Sequence, residues 1–141
     1  MSKYRIFGYA IATILVFVAC SNRNTPQGVT EDFIYQYYKN ANQGASLKLC
    51  AGRAEEKLQD EIARVQEVRS QDQPVTNMPQ IEYKQTRKET STEFEGVIHE
   101  LFNYKLTIKS RDGTTTHSRN VVITTENING LWKVVNFDEY Q

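Results

Sequence analysis

Few residues in this chain are equipped for acid–base, nucleophilic or metal chemistry, and their spacing decides how far each can be taken. His99 stands in an alternating stretch with Glu100 beside it. A histidine oriented by a carboxylate can act as a general base, but adjacent strand residues face opposite sides, so these two cannot pair with each other. His117 follows a turn sequence and reads as exposed. The two histidines stand 18 positions apart with no cysteine cluster near them, which is not metal-ligand spacing. Cys50, among Leu47, Leu49 and Ala51, reads as a small buried hydrophobe in helical sequence rather than a nucleophile. Asp60, Asp72, Asp112 and Asp138 fall on a polar helix face, in a linker, in a turn and near the end of the chain, and none is a place for a shielded base. Of the eight tyrosines, Tyr35, Tyr37 and Tyr38 cluster and could line a ligand mouth, but packing a helix on a sheet is the more usual use of such residues. No glycine-rich phosphate loop or serine elbow occurs, and no cofactor or metal is implied.

These residues belong to a chain of 141 with 17 basic and 17 acidic side chains, so no cationic excess exists to neutralise nucleic-acid phosphates. Lys3 and Arg5 precede an uncharged, mostly apolar run from Ile6 to Ala19. As a helix that run reaches about 21 Å, short of the ~30 Å hydrocarbon core, which fits a cleaved signal rather than a lasting span. The run closes on Phe17-Val18-Ala19-Cys20, which resembles the lipobox of bacterial lipoproteins, although Phe17 stands where leucine is usual. The resemblance implies cleavage before Cys20 and acylation of its thiol, with the membrane as partner through the acyl chains. Ser21, rather than aspartate, resembles the outer-membrane sorting pattern of diderm bacteria, which would place the domain in the periplasm. The organisation expected is a signal over 1–19, a polar tether over 20–28 and one domain over 29–141.

The elements that must position any site divide into two periods. Thr30 is the expected N-cap of a first helix, with Val29 and Ile34 as a hydrophobic staple. Phe33, Ile34, Tyr37, Tyr38 and Ala41 recur at helical spacing, and Gly44 is the expected stop. A second helical region, about 45–70 with a break near Gly52, carries Ala54, Leu58, Ile62, Val65 and Val68 on one stripe, and Asp60 and Arg64 as an acid-first ion pair. After Pro74 and Pro79 the period changes to two. Strands are expected over about 80–89, 93–109 (with a bulge at Gly96), 115–125 and 131–137, joined by the Asp112-Gly113 and Asn129-Gly130 turns. Phe102, Tyr104, Leu106 and Ile108 share one face. Helices followed by an antiparallel meander make an α+β fold, with N-terminal helices on a curved four-stranded sheet.

That order, closing on Asn129-Gly130-x-Trp132-x-Val134, resembles the cystatin-like, nuclear-transport-factor-two-like superfamily, and within it small bacterial lipoproteins whose domain has no known function. The resemblance implies a cone-shaped pocket between helices and sheet, to which Tyr37, His99 and Tyr104 are the candidate contributors, and a core position for Trp132. A steroid-isomerase-like site there would need a buried aspartate base with tyrosine donors, and no aspartate is suitably placed. The expectation is therefore a non-catalytic binding or assembly domain whose ligand is an envelope protein or a small apolar molecule; the alternative is an isomerase- or hydratase-like enzyme using the cone. Mass spectrometry of membrane-extracted protein should find Cys20 as a di- or triacylated N-terminal residue, and Cys20→Ala should retain the signal. An unmodified Cys20 in the wild-type protein would overturn the lipobox reading.

Overall fold

The computed structural model describes residues 23–68, 78–94 and 96–141; the signal stretch, Cys20, Ser70, Asp72 and Pro74 lie outside them, as do the side chains of Val68, Glu93 and Phe94. Helix α1 spans Pro26–Ile34, and its N-cap is Thr25, not Thr30. Thr25 Oγ1 accepts from Gly28 N at 2.9 Å, and Pro26 occupies the first turn, where its missing N–H is no loss. Thr30 is instead fully buried, and its hydroxyl donates back to Pro26 O at 2.8 Å. Tertiary contact decides between the two threonines. Asn24 Nδ2 donates to Gly130 O, and Asn24 Oδ1 accepts from Trp132 N, both at 2.9 Å, which fixes the chain to the last hairpin before the helix begins. The turn is tight enough that a Cβ on Gly28 would lie 2.5 Å from Arg23 O.

The other end of the helix also differs from expectation. Past Ile34 the coil widens into a π-helical turn, Tyr35–Lys39, in which Asn40 N donates to Tyr35 O at 3.0 Å. Ala41 then takes φ +47°, the left-handed stop usually given to glycine. Gly44 lies inside a short helix α2, Gln43–Leu47, capped by Asn42. Helix α3 spans Gly52–Val68 and buries Ala54 and Leu58, with Ile62 and Val65 half-buried. Arg64 bonds the backbone carbonyl of Asp60 through Nε rather than its carboxylate.

Strands β1 (Gln80–Phe94), β2 (Val97–Lys109), β3 (Thr116–Ile128) and β4 (Leu131–Tyr140) form one antiparallel sheet in sequential order. The expected bulge at Gly96 is a turn: its φ of +75° sits between β1 and β2, which divide what the sequence reads as one long strand. Asn129 (φ +53°) and Gly130 (φ +86°) form the β3–β4 turn, as two left-handed residues in sequence require. Register shifts at Gln85/Arg87, Ser91/Phe94 and Thr124/Thr125 bend the sheet. Its concave face carries Phe102, Tyr104, Leu106, Val121, Ile123, Val134 and Phe137, all buried against α1 and α3. Cys50 is not helical. It belongs to an extended link that pairs in parallel with the edge of β4, through Val134 N to Leu49 O and Ala51 N to Val134 O at 2.9 Å each. Lys57 secures the same edge, its Nζ donating to Asn136 Oδ1 (3.0 Å), Phe137 O (2.7 Å) and Asp138 Oδ1 (2.7 Å).

The core turns on a knot of rings. Phe33 has no exposed surface and stacks on Tyr37 at 5.3 Å and 11°, with Phe137 at 5.1 Å and Tyr38 edge-on at 6.4 Å. Trp132, expected in the core, is only partly buried at its margin. Phe33→Ala should therefore cost about 3–5 kcal/mol of folding stability, and Trp132→Ala distinctly less. Urea unfolding followed by circular dichroism, which does not need the indole, would show the order; a larger loss at Trp132 would mean that the ring knot is not the centre of the core.

Candidate functional site

The three residues expected to line a pocket are held in three different places. Tyr37 leaves the π turn toward α3, and its hydroxyl donates to Glu61 Oε2 at 2.7 Å. Tyr104 sits in the middle of the concave face, 2% exposed, and its hydroxyl donates to Gln85 Oε1 at 3.2 Å. Gln27 Nε2, from the first turn of α1, lies 2.9 Å from the same hydroxyl, 2.8 Å from Gln85 Oε1 and 2.7 Å from Glu31 Oε1. That is one acceptor more than its two hydrogens serve at once. His99 faces the opposite, convex side of the sheet, because the pleat alternates and its neighbours Glu100 and Phe102 face the concave side. There it does have a carboxylate partner: Nε2 lies 3.1 Å from Glu126 Oε2, directly across from β3. Each of the three side chains thus ties two elements together, and His99 lies across the sheet from the two tyrosines.

A different set converges where the sheet extends past the helices, at the end that carries the β2–β3 turn. Arg119 on β3 and Glu139 on β4 lie on the concave face, and Arg119 Nη1 donates to Glu139 Oε2 at 2.9 Å. The other oxygen of Glu139 accepts from the Tyr38 hydroxyl at 3.0 Å, so one carboxylate joins the π turn to two strands. Ile108, His117, Ser118, Arg119 and Gln141 line an open cleft of about 330 Å³. A second cleft of about 190 Å³ continues over Arg119, Glu139, Tyr140 and Gln141. A third, of about 540 Å³, lies against Pro79, Ser110, Arg111 and Asp112 at the same end. Arg119 keeps more than half of its side-chain surface exposed, and only one of its N–H groups faces Glu139. The remaining fork suits an incoming carboxylate or carbonyl.

Sequence reasoning named Tyr38 and His117 but missed Arg119 and Glu139. Arg119 was legible, since it lies two residues from Val121 and so on the same face. Glu139 fell beyond the expected strand end at Phe137; continuing the strand by two residues puts it on the Phe137 face.

Burial raises the tyrosines of this region. Tyr37 and Tyr38 lie well above the ordinary value near 10, first through desolvation and then through the carboxylates of Glu61 and Glu139 that their hydroxyls face. Desolvation and the charge of Glu31 push Tyr104 up to about 12. Burial likewise pushes the Cys50 thiol up to about 12, so it is held as a thiol rather than a nucleophilic thiolate. Asp112, receiving bonds from Ser110 and Thr114 in the β2–β3 turn, is lowered to about 2. Among the described residues, no three His, Cys, Asp or Glu side chains are grouped as a metal ion would need. No helix of the described residues is long and apolar enough to cross a membrane. No protein-family model matches the chain, and no curated protein is significantly similar to it.

The raised groups set an alkaline limit. A folded pKa above the unfolded one stabilises fully below the unfolded value, 9.0 for Cys50 and 10.0 for the tyrosines, and this is lost as pH climbs through the folded value. The denaturation midpoint should hold up to about pH 9 and fall beyond it. Tyr38→Phe should make the alkaline fall shallower; an unchanged slope would mean that the Tyr38 phenol is not desolvated in the folded protein.

Proposed function

We propose that this chain is a lipid-anchored protein of the bacterial cell envelope whose α+β domain binds or assembles with another envelope component and does not catalyse a reaction. The anchor rests on the positive n-region, the short apolar run and Cys20 at its end. The observation that carries the binding reading is the way the reactive side chains are used. Tyr37, Tyr104 and His99 are each committed to a tie within the fold, with His99 on the face of the sheet opposite the two tyrosines. A catalyst needs a base or nucleophile oriented by a second group toward one shared, water-shielded position. What converges instead is the Tyr38–Glu139–Arg119 chain beside open clefts. This polar surface can accept a partner's carboxylate or backbone and leaves a bound molecule open to water. The docking surface is assigned to that end of the concave face, and the partner to an envelope protein.

In intact cells, a photo-crosslinking residue at His117 or Gln141 should capture a defined partner, and Arg119→Glu should abolish the capture at equal protein level. His99→Gln and Tyr37→Phe should each leave the capture and any deletion phenotype unaffected. Loss of function in either of those variants, with folding and membrane attachment intact, would move the reading to the isomerase- or hydratase-like alternative. Capture only from the convex face, at Thr107 for example, would place the docking surface elsewhere.

A further inference from the structure

We infer that the end of the sheet formed by the β1–β2 and β3–β4 turns is a membrane-contacting tip, seated on the lipid surface to which Cys20 holds the chain. This rests on the lipid-anchor reading above and adds to it an orientation and a second point of contact. Both turns lie at one end of the meander, opposite the β2–β3 turn. Three large apolar residues are exposed there: Ile98 (53%) toward the concave side, and Val97 (36%) and Leu131 (54%) on the convex side. Leu131 pairs with the half-buried Ile128, and Val97 lies two residues along β2 from His99, which pairs with Glu126 two residues along β3 from Ile128. An apolar fringe thus runs across three strands and around both faces, at the place where a soluble domain ordinarily puts polar turn residues.

The length of chain outside the described residues says what covers it. Asn24 is bonded to Gly130 O and Trp132 N, so the described chain begins beside this tip, with the Arg23 side chain laid back along α1 onto Asp32 at 2.6 Å. From Cys20 to Asn24 the chain can extend at most about 14 Å. Strand β2, with its 13 residues, carries the opposite end of the sheet about 40 Å away. A leash so much shorter than the domain keeps the Gly130–Trp132 turn at the level of the headgroups. The effective concentration of lipid around Leu131 and Ile98 is then high enough for a few side chains to insert without strong intrinsic affinity. No cationic cluster marks the contact: in the next row Lys133 donates to Lys48 O at 2.7 Å beside the Glu126 carboxylate, and Lys88 is ion-paired with Glu100 at 3.1 Å. Insertion should therefore be insensitive to salt and to anionic lipid. Seated this way, the Arg119–Glu139 clefts face away from the membrane, into the aqueous compartment.

The chain has one tryptophan, Trp132, one residue from Leu131, and it reports on the contact. Full-length acylated protein would be reconstituted in phosphatidylcholine vesicles carrying lipids brominated at shallow positions on their acyl chains. Trp132 emission should be strongly quenched, equally in low and high salt and with or without phosphatidylglycerol. Leu131→Asp and Ile98→Asp should each lose most of the quenching while still floating with the vesicles and melting as the wild type does. A flexible linker inserted after Ser21 should weaken the quenching without touching the domain. Acylated, vesicle-bound protein whose Trp132 is unquenched would overturn the inference and leave the anchor standing; a chain without acyl groups on Cys20 removes both. An unquenched Trp132 together with a dimer in detergent that Leu131→Asp disrupts would assign the tip to a second copy of the chain instead.

Discussion

Phe33 lies where α1, the π turn and the end of β4 meet, and its burial is the constraint on which the rest of the domain depends. A curved sheet with one apolar face is not stable alone; it needs a hydrophobic stripe to fill its concavity. Helix α1 supplies that stripe with Val29, Phe33 and Ile34, and each contact at its ends serves to place it. Asn24 pins its start to the β3–β4 turn, Gln27 ties its first turn to Tyr104 and Gln85, and Tyr37 and Tyr38 extend the ring stack to Phe137. The hydroxyls on this stack reach carboxylates at the rim, which gives the desolvated phenols partners and avoids the cost of burying them unbonded. The polar chain Tyr38–Glu139–Arg119 is thus the outer edge of the core.

The same constraint explains the widened coil at Tyr35–Lys39. The added residue per turn brings both Tyr37 and Tyr38 against Phe33, one stacked and one edge-on, before the chain reverses at Ala41. A left-handed alanine is disfavoured by its Cβ, and it is held here by Asn42 N donating to Gln36 O at 2.8 Å and by the Asn42 cap of α2. Such wide turns recur at functional sites, and this one delivers the tyrosine that anchors the candidate docking surface.

What could be read from the sequence follows from the range of the interactions involved. The strand faces were legible because alternation is local: Phe102, Tyr104 and Leu106 declare the concave side by themselves. Asn129-Gly130 and Asp112-Gly113 were legible because a turn's chemistry lies in its own two residues. The ends of the first helix were not. Thr25-Pro26 and Thr30 are both sound caps, and the choice was made by Gly130 and Trp132, more than a hundred positions away. The site was hidden for the same reason. Tyr38 and Glu139 are 101 residues apart, and His99 and Glu126 are 27 apart. Only the completed register of β2 with β3 brings His99 to Glu126, and only the packing of the π turn over β4 brings Tyr38 to Glu139.

Register also separates the two ends of the sheet chemically. Every antiparallel strand visits both ends, so a meander can make one end apolar and the other polar only through the residues nearest its turns. Here the β2–β3 turn is Ser110, Arg111, Asp112 and Thr114, with His117 and Arg119 just beyond it, and the opposite turns are flanked by Val97, Ile98 and Leu131. Within the core the two ends need not differ, since the same buried valines, leucines and aromatic rings run through the middle of the concave face. The asymmetry therefore does no work for folding, and exposed Leu131 and Ile98 oppose solubility. It is the arrangement expected of a domain whose two ends meet different surroundings. The chain enters at the apolar end, and the polar clefts open at the end farthest from it.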